Sequence, residues 1–558
     1  MTDRLARALG HHQSGRLREA GALYREILAA HPDHPDALHY LGVLALQEGN
    51  AGEAVRLIER SFERAPGNVD ALNNLGQAFA SLGRWPDAAA AYRKALAKVP
   101  GFVPAQSNLG DALMELGEME AAVVHYRMAL EASSGDPEIL INLGKALALL
   151  GRPEEATDCF RQILEVAPGD PVALTHLGVS LQAAGKLDEA IAALGRAIAV
   201  QPELFEAHYN LGMALFDQNQ LEESIASYRR ALVLDPDHVD AHYNLCLLFF
   251  LQGRLREGWE EYEWRWRYEG APKLRLFPQA LWQGGKLKGK TILVWFEQGV
   301  GDEILFASMV PDLMERGARV VLECDPRLIP VFSRSFPGVE CLPKEDPPCR
   351  ETQRKDIDLQ VPGGDLGRWL RSDFESFQGP PSYLVADGER RDALRARYQD
   401  GGADLLVGLA WGSVNKRIGG DKSMPLAGFK PLTRIPGITF VDLQYGDTAD
   451  ERRAFEEETG ISFLHDTAVD QLADLDIFTD QVAAMDLVVS VSNTTVHVSG
   501  GLGVPTWVLL NKVPLSCWML KKNESPWYPS VRLFRQERDG DWTGVIARAQ
   551  SELKRFMT

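Results

Sequence analysis

The sequence predicts two architectures in series: an α-helical solenoid, then an α/β module of two lobes built on mostly parallel sheets. Three observations carry that expectation. A Leu-Gly pair returns every 34 residues, at Leu41-Gly42, Leu75-Gly76, Leu109-Gly110, Leu143-Gly144, Leu177-Gly178 and Leu211-Gly212, and Leu245-Cys246 continues the series. Beyond residue 289, short apolar runs alternate with amphipathic helical stretches. The 558 residues exceed what one compact core accommodates, so several domains are expected.

Composition narrows the function classes. The formal charge of -19 is uneven: residues 1–269 hold 24 Lys+Arg against 38 Asp+Glu. A superhelix that gripped nucleic acid would need the opposite sign, so no nucleic-acid partner is expected. The six cysteines, Cys159, Cys246, Cys324, Cys341, Cys349 and Cys517, show neither CxxC nor zinc-ligand spacing, which predicts reduced structural thiols and no metal. No run approaches about 18 uninterrupted apolar residues, and the N-terminus, MTDRLARALGHHQSGRL, lacks a signal peptide's apolar stretch. A cytoplasmic location without a membrane span is the expectation.

Within each 34-residue unit a small residue follows the Gly by twelve positions (Ala54, Ala88, Ala122, Ala156, Ala190, Ser224). A bulky one then follows (Ile58, Tyr92, Tyr126, Phe160, Leu194, Tyr228), and a Pro usually ends the unit (Pro66, Pro100, Pro168, Pro202, Pro236). Residues 1–268 thereby resemble the tetratricopeptide repeat, with an earlier, weaker unit at Ala20, Tyr24 and Pro32. The resemblance implies stacked helical hairpins forming a superhelix whose groove takes a protein. The aromatic run EGWEEYEWRWRYEG, with Trp259, Tyr262, Trp264 and Trp266, reads as a cap over the last repeat, against the alternative of a sugar or peptide platform.

After a linker at 269–288, TILVWFEQ, ARVVLECD, DIDLQVP and SYLVAD read as strands of a first lobe, 289–388. A second lobe, 403–558, carries DLLVGLAW, ITFVDLQY, SFLHD, DLVVSVS and PTWVLL. Parallel α/β sheets bind ligands at the carboxyl ends of their strands. Three stretches at such ends carry candidate chemistry. FEQGVGDEILFASMVP ends a strand in Gly299-Val300-Gly301-Asp302, but Ile304 stands where a dinucleotide fingerprint needs a third Gly. SVSNTTVHVSGGLGVP opens a helix near Asn493, Thr494 and Thr495 with His497 in its first turn, an anion-binding arrangement for which a packed His is the plainer alternative. GLAWGSVNKRIGGDKSMPLAGF is a polar loop with Lys416, Arg417 and Lys422, either solvated or a diphosphate clamp.

Together with YEWRW, EQGVGDEILF, NTTVHVSGGLGVPTWVLL and PWYPSVRLFRQ, these stretches resemble glycosyltransferases of GT-B fold related to the ADP-heptose-type heptosyltransferases, and more closely bacterial proteins that join tetratricopeptide repeats to such a domain. The resemblance implies two Rossmann-like lobes, 289–388 on the acceptor side and 403–558 on the nucleotide-sugar side. It places a general base on Asp302 and a donor-phosphate contact on Lys422. The phosphate-binding turn, Asp-Thr-Gly in those relatives, is Ser492-Asn493-Thr494 here, which departs from the heptose-donor pattern. LQYGD, 443–447, falls where relatives contact the nucleotide, making Gln444 and Tyr445 candidates. Asp356-Ile357-Asp358 has the form of a metal-binding tripeptide, but it reads as part of a strand, and no metal or other cofactor is expected.

The function expected is transfer of a sugar from a nucleotide-activated donor, bound as substrate, to a protein recruited by the repeats. Resemblance to repeat-containing flagellin-modifying transferases makes flagellin the narrower acceptor, with a CMP-linked nonulosonic acid as donor. Two alternatives stand beside it: an inactive module whose repeats act as a protein-binding scaffold, and a lipopolysaccharide sugar transferase. Asn74, Asn108, Asn142, Asn210 and Asn244 recur at one point of each unit, replaced by Tyr40 and His176 in two others. They form either an asparagine ladder that pairs with an acceptor backbone, as in O-GlcNAc transferases, or bridges between neighbouring units.

Overall fold

The computed structural model describes residues 2–557 apart from 269, 272–273, 401, 403–404, 414–421, 521 and 539. The chain forms two compact units, Met1–Asp237 and His238–Thr558.

The first unit is a run of antiparallel helical hairpins, from Thr2–Gln13 with Leu17–Ala30 to Phe205–Asp217 with Leu221–Leu234. The Leu-Gly pair lies in the first helix of each hairpin, and the Gly is required because the ring or branched chain of the second helix occupies its side-chain volume. A Cβ on Gly110 would lie 2.5 Å from Tyr126 Cε1, and one on Gly144 2.5 Å from Phe160 Cζ. The turn inside each hairpin also repeats, through a residue in the left-handed region at Gly49, Gly83, Gly117, Gly151 and Gly185. At the next place Asn219 takes over with φ 64°, a substitution open to Asn because its short side chain tolerates that conformation.

The second unit begins with one more hairpin, Val239–Gln252 and Leu255–Glu261, closed by a 3-10 turn, Tyr262–Trp266. The structure thus groups residues 238–268 with the α/β part, where a repeat domain of 1–268 was expected. The reason is the aromatic run. Trp259 Nε1 donates to the Arg371 carbonyl at 2.8 Å, Phe250 packs edge-on to Trp259 at 4.6 Å, and Trp266 lies 5.8 Å from Trp295. Phe250 and Trp259 join the core on one face of the first sheet and Trp266 packs on the cluster around Trp295 on the other, as a cap does.

Two parallel five-stranded sheets follow. The first is ordered β1 (Ala280–Leu281), β5 (Leu359–Pro362), β2 (Thr291–Trp295), β3 (Arg319–Cys324) and β4 (Glu340–Pro343). The second is ordered β10 (Val531–Arg535), β9 (Thr506–Leu510), β8 (Leu487–Val491), β6 (Leu405–Ala410) and β7 (Ile438–Asp442). The central strands β2, β8 and β9 are buried along their whole length, which is why they read as continuous apolar runs. The chain reverses its winding direction between β2 and β5 in one sheet and between β6 and β8 in the other.

Four expectations are corrected. SYLVAD is not a strand: Tyr383 and Leu384 both donate their backbone N–H to the Gly501 carbonyl at 2.9 Å, so the segment is held by a helix end instead of a sheet edge. SFLHD contributes one isolated bridge, Val441 to Leu464. The stretch read as a linker contains β1, paired with β5, and Asp356-Ile357-Asp358 lies in the turn before β5.

Replacing Gly110 with Ala is expected to cost about 1–3 kcal/mol through overpacking, because Tyr126 is held by its hydroxyl on Asp111 Oδ1 at 2.6 Å and cannot yield freely. Gly101→Ala, with open space around the new methyl, should stay within about 0.5 kcal/mol. Thermal unfolding followed by far-UV circular dichroism distinguishes the two.

Candidate functional site

Ligands of open α/β sheets lie outside the carboxyl ends of strands where the winding reverses. Both reversal points bring candidate residues to that place. In the first sheet, β2 leads through Phe296 to Gly299 into the helix Val300–Ala307, and in the second, β8 leads through Ser492 and Asn493 into the helix Thr494–Leu502. The two helix N-termini meet. A Cβ on Gly301 would lie 3.0 Å from His497 Cδ2 and 3.7 Å from Thr494 Oγ1, so a side chain there would push them apart.

Asp302 lies in the first turn of its helix, half-buried at this junction. Burial, and then the charge of Glu297, push its carboxyl up to about 6, against the pull of the Gly299 backbone and Lys422. The neighbouring Glu303 turns away: its carboxylate accepts from Asp325 N at 2.8 Å and Lys344 Nζ at 3.2 Å, and burial raises it to about 7.

His497 is buried and stacks on Trp518 at 5.7 Å, with Nδ1 2.9 Å from the Tyr528 hydroxyl. Burial, helped by the Lys422 charge, lowers it to about 4, so the ring is neutral at pH 7. Lys422 is half-buried, and its own proton affinity is lowered by burial while Cys517 and Asp302 oppose that shift. The Cys517 thiol, facing the same two groups, is pushed up to about 12 by burial and the Asp302 charge.

The other candidates divide by what their side chains already hold. Asn493 donates from Nδ2 to the Gly412 carbonyl at 3.1 Å and accepts from Ser490 Oγ at 3.1 Å, so its amide ties two loop ends together. It does not cap its helix, which leaves the first-turn N–H groups uncapped by that side chain. Thr495 Oγ1 is buried without a hydrogen-bond partner among the described residues. Gln444 accepts from the backbone N–H of Trp411 and Gly412 at 2.9 and 2.7 Å, welding LQYGD to the end of β6, and Tyr445 beside it is buried. Lys416 and Arg417 lie outside the described residues. Among the described residues no cluster of His, Cys, Asp and Glu has the form of a metal site. In the Asp-x-Asp tripeptide, Asp358 accepts from Thr291 N at 2.8 Å and Lys290 Nζ at 3.1 Å, which commits it to the start of β2.

Sequence reasoning passed over Cys517, Trp518, Tyr528, Glu297 and Arg265. Tyr528 stood inside the quoted PWYPSVRLFRQ and Arg265 inside YEWRW, but no spacing links either to Asp302 or His497. Only the fold brings them together.

In the repeats, three of the recurring asparagines reach the preceding unit. Asn74 Nδ2 lies 2.8 Å from His39 Nε2, Asn108 Nδ2 donates to Asn73 Oδ1 at 2.9 Å, and Asn142 Nδ2 donates to Asp111 Oδ1 at 3.0 Å. Bridging between units requires such bonds. Each of these side chains is also half-exposed, as are Asn210 and Asn244.

Comparison with known proteins adds the class. The family described as Cilia and flagella-associated protein 70 C-terminal domain matches residues 2–245. Protein FlbA of Caulobacter vibrioides is 33% identical over 319 residues, 54% of this chain and 52% of that protein, so the chain spans about half the length of the curated relative it matches. The crystal structure of YrrB, a TPR protein with an unusual peptide-binding site, shares 22% identity over 33% of this chain and 96% of YrrB, with a TM-score of 0.30. The C-terminal part of a TPR repeat-containing protein from Cytophaga hutchinsonii shares 17% over 43% of this chain and 99% of that one, with a TM-score of 0.36. The first unit is a solenoid of helical hairpins with a 34-residue period, and it is similar to proteins described as tetratricopeptide-repeat proteins. No helix among the described residues is long and apolar enough to cross a membrane.

The lowered His497 has a measurable consequence. A histidine whose folded value falls from 6.5 to about 4 contributes stability above pH 6.5 that is lost as pH falls through 4. Asp302, raised from 3.8 to about 6, acts oppositely, its contribution being lost as pH rises through that window. His497→Gln should therefore flatten the acid-side loss of stability by up to about 1.4 kcal/mol per pH unit relative to wild type. The urea transition followed by tryptophan fluorescence reads this, since every tryptophan except Trp85 lies beyond residue 238.

Proposed function

We propose that the α/β part is a metal-independent glycosyltransferase of GT-B architecture that moves a sugar from a nucleotide-activated donor to a protein held by the repeats. The observation that carries this reading is the meeting of two helix N-termini at the winding reversals of two parallel sheets, one presenting Asp302 and the other lying beside Lys422.

On this reading the two sides divide the chemistry. Asp302, with a proton affinity near 6, is mostly ionised at pH 7 and takes the proton of the acceptor hydroxyl as that oxygen attacks the anomeric carbon. The uncapped N-terminus of Thr494–Leu502 and the Lys422 ammonium stabilise the negative charge on the departing phosphate. His497 adds a neutral imidazole to the same junction. The buried Thr495 hydroxyl, which lacks a partner among the described residues, is a further donor for that phosphate. Gln444 and Tyr445 line the nucleotide side, and Asn493 acts by holding the loop ends together. The nucleotide sugar is the substrate, and no separate cofactor takes part.

The competing reading, a protein-binding scaffold, draws on the commitment of Asn493 to Gly412 and Ser490, which removes one side chain from the phosphate-binding turn. Incubating the protein with a panel of nucleotide sugars and purified flagellin, followed by intact-protein mass spectrometry, separates the two. Transfer is expected in wild type, with a loss of about a hundredfold or more in Asp302→Asn. Lys422→Ala should weaken donor binding by calorimetry. If no nucleotide sugar binds wild type at all, the scaffold reading stands.

The groove has its own test. Changing Asn108, Asn142 and Asn210 together to Ala should abolish acceptor modification while leaving donor hydrolysis intact. Loss of the bridging bonds to Asn73 and Asp111 should at the same time lower stability by about 1 kcal/mol for each bond. Modification that persists at permissive temperature would assign the asparagines to bridging alone.

A further inference from the structure

We propose that Arg265 and Tyr262, carried by the turn that closes the last helical hairpin, are positioning residues for Asp302, because they hold Glu297 and Gln298 at the root of the loop that presents it. The inference rests on the reading of Asp302 as the acid–base group of the α/β part.

The loop leaves β2 after Trp295, and Asp302 follows Glu297 by five residues. Glu297 and Arg265 are enclosed together, with side chains 1% and 5% exposed. Arg265 reaches Glu297 Oε1 from Nη2 at 2.9 Å and from Nε at 3.1 Å, and its Nη2 also donates to Asp365 Oδ1 at 2.6 Å. Its Nη1 donates to the Tyr262 carbonyl at 3.1 Å, and the guanidinium lies 4.3 Å from the ring centres of both Tyr262 and Trp266. The fork therefore has one orientation. Gly364 leaves room for it, since a Cβ there would lie 2.5 Å from Glu297 Oε1 and 3.2 Å from Arg265 Nη2.

The next residue is held as well. Gln298 Nε2 donates to the Tyr262 hydroxyl, and the Gln298 carbonyl accepts from Lys344 Nζ at 3.3 Å. Glu297 and Gln298, the second and third residues of the loop, are thus held by side chains of the turn that closes the hairpin, and the loop ends in the helical turn where Asp302 N donates to the Gly299 carbonyl at 2.9 Å.

The charge arrangement exceeds what an anchor needs. One guanidinium serves two carboxylates, and Glu297 Oε2 is buried without a hydrogen-bond partner among the described residues. That carboxylate is a like charge for Asp302, which also feels Lys422 and itself acts on Tyr262, Cys517 and Tyr528. Burial is the larger cause of the rise at Asp302; His497 is neutral and Glu303 faces Asp325 and Lys344, so Glu297, itself pushed up by burial and held down by Arg265, is the neighbouring charge that adds to it. The hairpin turn consequently sets both where Asp302 points and how tightly it holds a proton.

Carbon-13 NMR of full-length protein labelled at the aspartate carboxyl carbon tests this without a substrate. The Asp302 signal is identified by its loss in Asp302→Asn, and its titration is followed in Glu297→Gln, Arg265→Gln and Arg265→Lys. Glu297→Gln keeps the acceptor for Arg265 and removes the charge, so the Asp302 midpoint should fall by about 1 pH unit. Arg265→Gln should move it the same way, because a dry Glu297 without its counter-ion takes a proton, and Arg265→Lys should restore part of the shift. A midpoint in Glu297→Gln that stays with wild type overturns the proposal even if Arg265→Gln fails to fold. A shifted midpoint in a protein whose wild type transfers no sugar leaves the positioning intact and removes the reading of Asp302 as a base.

Discussion

The contact between Gly301 and His497 is the constraint on which the α/β part depends. Two helices of one unit, each launched from the carboxyl end of a buried central strand, come together at a point where one of them has no side chain, and a Cβ on Gly301 would lie 3.0 Å from His497 Cδ2. A methyl group there would sit against the imidazole, which is itself held by Trp518 on one face and by the Tyr528 hydroxyl at Nδ1, so the ring has nowhere to retreat. Asp302 follows Gly301 immediately, and the close approach is what brings its carboxylate beside Lys422 and Cys517 from the other sheet.

That closeness also creates the dry surroundings in which proton affinities separate. Desolvation works against whichever form is charged, so it raises Asp302 to about 6 and Glu303 to about 7 while it lowers His497 to about 4. Neighbouring residues of the same helix turn then differ in use. Glu303 is committed to the backbone of Asp325 and to Lys344, while Asp302 faces the junction, under the influence of Glu297. Polar bonds also join the elements around the site. Arg334 joins Asp476 and the Val385 carbonyl, each at 2.7 Å, and Arg327 donates to the Leu472 carbonyl at 2.7 Å, fastening the layers around the site.

The solenoid is organised by a different physics. Each hairpin needs a gap on its first helix and a bulky group on its second, a left-handed turn residue between them, and polar bonds to the previous hairpin. The last hairpin keeps the left-handed turn, at Gly253, but has Cys246 where the other units have Gly and opens its gap on the second helix, where a Cβ on Gly258 would lie 2.5 Å from Phe250 Cδ1; it also adds the aromatic turn Tyr262–Trp266, which packs against the core of the first sheet. A repeat that elsewhere would stack on another repeat here has a sheet as its neighbour, and Arg265 becomes buried among carboxylates instead of solvated.

The sequence by itself determined the solenoid, because everything a hairpin requires lies within 34 residues: the Leu-Gly pair, the ring that fills the gap, the turn and the closing Pro. It also determined the central strands, whose unbroken apolar runs admit few other structures, and it marked Asp302 and the Asn493–His497 turn as strand ends with polar residues. What it could not contain is the pairing of distant segments. SYLVAD has the composition of a strand, yet Gly501, more than a hundred residues away, supplies its hydrogen-bond partner, and residues 280–281 find β5 across about eighty residues. Cys517, Tyr528, Glu297 and Arg265 carry no local signal because their roles arise from burial and from charges brought near by folding. A carboxylate's proton affinity depends on how much water the fold removes and which charges it leaves close by, and that was decided only when the two helix ends met at Gly301.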